Sequence, residues 1–163
     1  MALPLKLARF LNLLLTGLLA GLLVGIVFVE VSFLDLSAFV YTAVEQPKHR
    51  VFEPIMPVFN TLVIGSGVLV LLLMRERKTL SFILTLVGVI CTIVMVISTL
   101  LVNVPINSEI MNVWSAENPP ADWAQVRDQW NFWHSFRTVL AVVAFVCQLG
   151  AVLAPIPMQA QAK

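Results

Sequence analysis

The chain has 163 residues, 60% of them hydrophobic and 12% charged, with a formal net charge of +1 and a mean hydropathy of +0.95. Water-soluble domains carry about 25% charged residues, so this composition excludes an ordinary soluble domain and predicts an integral membrane protein. The near-neutral charge gives no reason to expect a nucleic-acid partner.

Four apolar runs are long enough to cross a hydrocarbon core of about 30 Å, which takes about 20 helical residues: 10–29, 55–74, 79–102 and 132–153. The expected fold class is all-α, an up-down four-helix membrane bundle. Residues 1–163 then form a single four-span domain, capped on its outer side by loops and short helices. Lys6 and Arg9 precede the first run like the basic start of a signal peptide. That run is too long for one, and no small-residue cleavage site follows, so it reads as a retained span. Within it, Gly17, Gly21 and Gly25 stand four apart, a spacing that lets another helix approach closely. Gly65, Ser66 and Gly67 in the second span, and Gly88 and Ser81 in the third, predict similar close packing.

The segment 30–54 is predicted to lie outside the bilayer. Its stretch "VSFLDLSAFVYTAV" fits either a continuation of the first helix or an interfacial amphipathic helix. The short loop 75–78, "RERK", holds three basic residues and by the positive-inside rule is cytoplasmic. Lys6, Arg9 and Lys163 share that side, so both termini are expected inside, in a bacterial cytoplasmic membrane. After the third span, Pro105 is expected to break the helix, with Asn103 and Asn107 serving the freed backbone groups. "NPP" at 118–120 ends whatever follows, and the segment 103–131 forms the second outer stretch. Asp122 with Gln125 has the pattern of a capping box, so a new helix should begin near Trp123 and run into the fourth span. Cys91 and Cys147 lie within spans and read as small apolar residues, not as a disulfide.

Trp123, Arg127, Trp130, His134, Arg137 and Ala141 follow one another at spacings of three and four, which places them on one face of the last helix. Phe132, Trp133, Phe136 and Val139 occupy the other faces and suit lipid. An arginine and a histidine at the mouth of a bundle are costly unless paired or wetted, so they require partners. His49 and Glu53, four apart, could supply an imidazole and a carboxylate to a metal. Glu30 and His134 complete a set of four candidate ligands for iron or copper. The competing expectation is a salt-bridged rim, in which Glu30 and Glu53 neutralise Arg50, Arg127 or Arg137. Phosphate loops, nucleophile elbows, zinc-protease helices and CxxC pairs are missing from the sequence, which removes most support for hydrolases and nucleotide enzymes.

The order Asn103, Pro105, Asn107, Trp114, "DW", Arg127, Trp130, His134 and Arg137 ahead of a final apolar span resembles the anthrone-oxygenase-like family of small membrane proteins. The resemblance is densest from Asn103 to Thr138. It implies a four-span oxygenase that converts an anthrone-like or quinol-like compound with dioxygen as co-substrate, without an obvious organic cofactor. The residues then permit roles: His134, Arg137, Asn103, Asn107 and Arg127 as the catalytic group, with His134 as general base, and Trp114, Trp123 and Trp130 as stacking faces for a lipophilic aromatic substrate. Besides the bilayer and that substrate, the sequence leaves a homo-oligomer open. Two non-enzymatic readings compete. One is a lipid- or partner-binding scaffold; the other, a transporter or channel subunit, is weaker because the ionisable residues gather at one end of the spans.

Overall fold

The computed structural model describes residues 3–154; Lys163, invoked above for topology, lies outside them. Five α-helices follow in chain order: α1 (Leu3–Ser32), α2 (Ala38–Leu73), α3 (Leu80–Ser98), α4 (Val104–Asn112) and α5 (Trp123–Leu153). A π-helical turn over Thr99–Asn103 joins α3 to α4 without a break, so Leu80–Asn112 is one long rod. With α1, α2 and α5 this makes four helical rods long and apolar enough to cross a membrane. They pack as an up-down bundle in which α5 lies against α1 and α3, and α2 against α1 and α3.

Local chemistry sets most of the helix ends. The hydroxyl of Ser37 accepts from the Val40 amide, and that of Thr79 from the Phe82 amide at 3.2 Å, so each starts a helix by satisfying a free donor. α5 begins at Trp123 as the spacing predicts, but the capping box does not form. The side chain of Asp122 makes no cap bond; its backbone carbonyl instead accepts from the amides of Gln125 and Val126.

Two outer segments differ from the sequence reading. The stretch 30–54 is not a separate cap: α1 runs to Ser32, five residues turn the chain, and α2 starts at Ala38. α2 then continues for 36 residues through Pro47, Pro54 and Pro57. Prolines of this kind are tolerated where neighbouring helices hold the rod and re-satisfy its carbonyls. Likewise, Pro105 does not stop the third rod. It follows directly on the π turn, whose wider i→i−5 bonding, with the Val104 amide bonded to the Thr99 carbonyl, carries the helix past a residue that has no amide to donate.

Small residues allow close packing at some of the predicted places and not at others. A Cβ on Gly17 would lie 2.9 Å from the Phe145 ring, one on Gly67 2.6 Å from Val89, and one on Gly88 2.6 Å from the Gln148 amide. Gly21, Gly25 and Gly65 have nothing within 4 Å, so the expected three-glycine groove reduces to its first member. Polar side chains stitch the interior: Asn12 donates to Ser66 Oγ at 3.0 Å, Ser81 to the Ala151 carbonyl at 2.8 Å and Gln148 to the Thr85 carbonyl at 3.3 Å. Such bonds take the place of a hydrophobic driving force between helices in lipid. Leu19, Leu23, Val63, Met95 and Ala141 fill the middle of the bundle, and exposed side chains such as Leu72, Val139 and Leu153 cover its outside.

Candidate functional site

The three-four spacing on α5 carries Trp130, His134, Arg137 and Ala141 into the interior, all at most 8% exposed. Trp123 and Arg127, a turn or two earlier, are half-buried. Phe132 and Val139 face outward, more than 60% exposed. The stripe is therefore amphipathic in the inverted sense, polar toward the bundle and apolar toward lipid.

His134 is fixed at both nitrogens. Arg137, one turn on, donates from Nε at 3.0 Å and from Nη2 at 2.7 Å to Nδ1 of His134. A guanidinium cannot accept, so Nδ1 carries the lone pair and Nε2 the hydrogen, and Nε2–H points to the Leu23 carbonyl at 3.1 Å. The basic lone pair that a general base at His134 would use is thus bound by the Arg137 guanidinium. Arg137 also reaches Thr99 Oγ1 at 3.4 Å, the first residue of the π turn.

Trp130 is the hub. Its ring stacks on His134 at 4.8 Å and 8°, meets His49 edge-on at 6.1 Å, and lies 4.8 Å from the Lys48 ammonium and 5.4 Å from the Arg137 guanidinium. Its indole N–H donates to Asn107 Oδ1 at 2.6 Å, while Asn103 Nδ2 donates to the Trp130 carbonyl at 3.3 Å. The two asparagines expected in the catalytic group thus both hold the tryptophan. Trp114 and Trp123 pack on Tyr41 with ring centroids 6.4 and 5.7 Å apart, in an apolar plug with Ile106 and Ile110. Arg127 donates to the Leu34 carbonyl and pairs with Asp128, both at 2.9 Å, and so clasps the turn between α1 and α2.

A second group comes from α2 and was missed by the sequence reading. Lys48 is bonded to the carboxylates of Glu30 and Glu45, the latter at 2.6 Å. The other oxygen of Glu45 lies 3.2 Å from His49 Nε2, without hydrogen-bond alignment. Tyr41, Glu45 and Lys48 recur at four and three residues, a helical face visible in the sequence only once the segment is read as a helix. The four-ligand metal set is not assembled. Glu53 is exposed, Lys48 occupies the place beside Glu30, and among the described residues no three His, Cys, Asp or Glu side chains group closely enough to hold a metal ion. The rim pairs expected of Glu53 with an arginine are also absent among the described residues; lysine is the partner of the buried carboxylates. In the loop before α5, the Ser115 hydroxyl donates to Glu117 at 2.7 Å and holds that carboxyl below its ordinary range.

Between α1 and α5 a cleft opens sideways, lined by Val27, Glu30, Val31, Leu34, Asn131, His134 and Ser135, with about 310 Å³ of empty space including its mouth. Two acceptors at the cleft residues have no partner: Glu30 Oε2 and Asn131 Oδ1, both buried. Buried acceptors left unbonded are costly and rare, so they mark where a ligand would find hydrogen-bonding opportunity.

Among the described residues, an all-helical bundle with four helices long and apolar enough to cross a membrane, and a buried charged cluster that reaches a cleft between α1 and α5, defines a small multi-pass membrane protein. The chain belongs to the anthrone oxygenase family: the sequence model of that family matches residues 49–147, more than half of the chain. The matched segment includes Asn103, Asn107, Trp130, His134 and Arg137, while Glu30, Glu45 and Lys48 precede it. No curated protein and no solved structure matches the chain.

Proposed function

We propose that this protein is a membrane-bound oxidoreductase that oxygenates a lipophilic aromatic compound, anthrone-like or quinol-like, with dioxygen as co-substrate. The observation that carries this reading is the cleft between α1 and α5, two helices long and apolar enough to cross a membrane, whose lining includes His134 and Glu30. A flat compound dissolved in the bilayer can slide its reactive edge between these helices without crossing water. Inside, Lys48 holds Glu30 and Arg137 holds His134. Two cations one residue removed from the cleft lower the energy of an aromatic oxyanion formed there, most effectively where the dielectric is low. Stacked Trp130 and Asn107 keep His134 in register.

The membrane is read as a bacterial cytoplasmic one, and the charge pattern supports an orientation with the loop containing Arg75, Arg77 and Lys78 and both termini inside and the cleft near the outer face. The bilayer is the principal partner, and a homo-oligomer is compatible with the open face at Gly21 and Gly25. The test is oxygen consumption by the protein in nanodiscs with anthrone supplied in the lipid. We expect uptake and anthraquinone formation, and at least a tenfold loss when Ser135→Trp fills the mouth of the cleft. Absence of both binding and uptake would remove the proposal.

A further inference from the structure

We infer that Glu30 is the residue that takes the proton from the substrate carbon, with Oε2 as the accepting atom. The inference rests on the oxygenase reading for its substrate, and on three observations for its residue. First, Glu30 is 3% exposed and lines the cleft. Second, its two oxygens are differentiated: Oε1 is bound by Lys48, whereas Oε2 is buried and unpartnered. Third, the other basic side chain of the cleft, His134, has no free lone pair, because Nδ1 accepts from Arg137 and Nε2 carries the hydrogen.

The charges around Glu30 suit the task. From α2 it faces the Lys48 ammonium, with Glu45 on the far side of that ammonium and His49 beyond Glu45. From α5 it faces His134 and, through it, the Arg137 guanidinium. Lys48, bonded to Oε1, sets a cation beside the carboxylate. When Oε2 takes the proton, Lys48 and Arg137 are left facing the substrate anion, so the positive charge passes from the base to the product of the step.

For anthrone the step balances as follows. The C–H bond of the carbon flanked by the two rings breaks, its proton goes to Glu30 Oε2, and its electron pair enters the ring system as the anthrolate anion. Dioxygen oxidises that anion, adding at the same carbon. The resulting peroxide anion takes the proton back from Glu30 to become the hydroperoxide, whose remaining C–H proton leaves as water with the hydroxide released by O–O cleavage, so that CH2 + O2 becomes C=O + H2O.

The proton step can be read without oxygen. Under anaerobic conditions in D2O, the full chain in nanodiscs should exchange deuterium into the methylene position of anthrone, followed by NMR against protein-free nanodiscs. Glu30→Gln should lower the enzyme-dependent exchange rate on the order of 100-fold or more, the usual contribution of a positioned base. Glu30→Asp should retain part of the rate, and anthrone binding should change by less than a few-fold in either variant. Glu45→Gln removes the same charge from Lys48 without touching the cleft, so exchange should fall by less than tenfold. A rate for Glu30→Gln within fivefold of wild type overturns the inference, as does an equal fall in Glu45→Gln, which would trace the effect to the charge on Lys48. So does the absence of exchange by the wild-type protein. Exchange that depends on Glu30 but leads to no oxygen uptake in air supports the inference while refuting the oxygenase reading.

Discussion

The bond between Trp130 and Asn107 ties α5 to α4, and its strength can be measured. The indole N–H lies 2.6 Å from Asn107 Oδ1 and Trp130 is 2% exposed. Trp130→Phe keeps a ring against His134 but removes the donor. The carboxamide of Asn107 then loses its partner, at a cost of about 1–3 kcal/mol. Because Asn107 is half-buried and water can reach part of it, a value near 2 kcal/mol is expected. Asn107→Leu leaves the buried indole N–H without an acceptor, for a similar loss. In the double variant both partners are gone and neither polar group is stranded, so the combined cost should fall short of the sum by about 1–2 kcal/mol, within the range of directly contacting pairs. Reversible unfolding by SDS titration in mixed micelles reads all four proteins. Additive losses, within about 0.5 kcal/mol, would mean that the bond is not a stabilising contact and that Trp130 is held by packing alone.

Nitrogen-15 NMR of ring-labelled protein should show His134 as the neutral tautomer with hydrogen on Nε2, and Arg137→Gln should abolish that preference; an Nδ1–H signal in the wild type would contradict the geometry. Lys48→Met should destabilise the bundle by about 3–5 kcal/mol, since it strands two buried carboxylates, and adding Glu30→Gln should recover part of the loss in the same SDS titration. Gly88→Ala should cost about 1–3 kcal/mol, because its Cβ would lie 2.6 Å from the Gln148 amide and 3.2 Å from the Ala144 carbonyl, whereas Gly21→Ala meets nothing and should be neutral or slightly stabilising.

The inward stripe of α5 was legible because three-four spacing is a strong signal when the opposite faces are plainly apolar. The four spans were legible for the same reason, as uninterrupted apolar runs. The start of α2 was not. Between Ala38 and Pro57 it mixes three prolines with Glu45, Lys48, His49, Arg50 and Glu53, a composition that describes a loop in water and a supported helix only beside other helices. Without that helix, Glu45 and Lys48 could not be placed on one face, and the partner of Glu30 stayed hidden. The metal set failed on the same point: the sequence pairs His49 forward with Glu53, but the helix turns His49 back toward Glu45 and leaves Glu53 outside. The role of His134 depended on direction, which spacing does not encode. Arg137 at three residues could have projected away from the imidazole or over it, and only the packed bundle shows it bound to Nδ1.

The π turn over Thr99–Asn103 sets the angular register of everything that follows it. Were these five residues to relax to ordinary α-helix with none removed, every later side chain on the rod would swing by one residue's rotation, about 100°. Ile106 and Ile110, now in the plug beneath Tyr41, would rotate toward lipid, and Asn107 would leave the indole of Trp130. The turn therefore acts as a phase shift between two halves of one helix: the lower half is timed to the core of the bundle, the upper half to the site. A lineage could retime the upper half by exchanging this turn for an ordinary helical one of the same length, and so change how the site is held while leaving the lower half untouched.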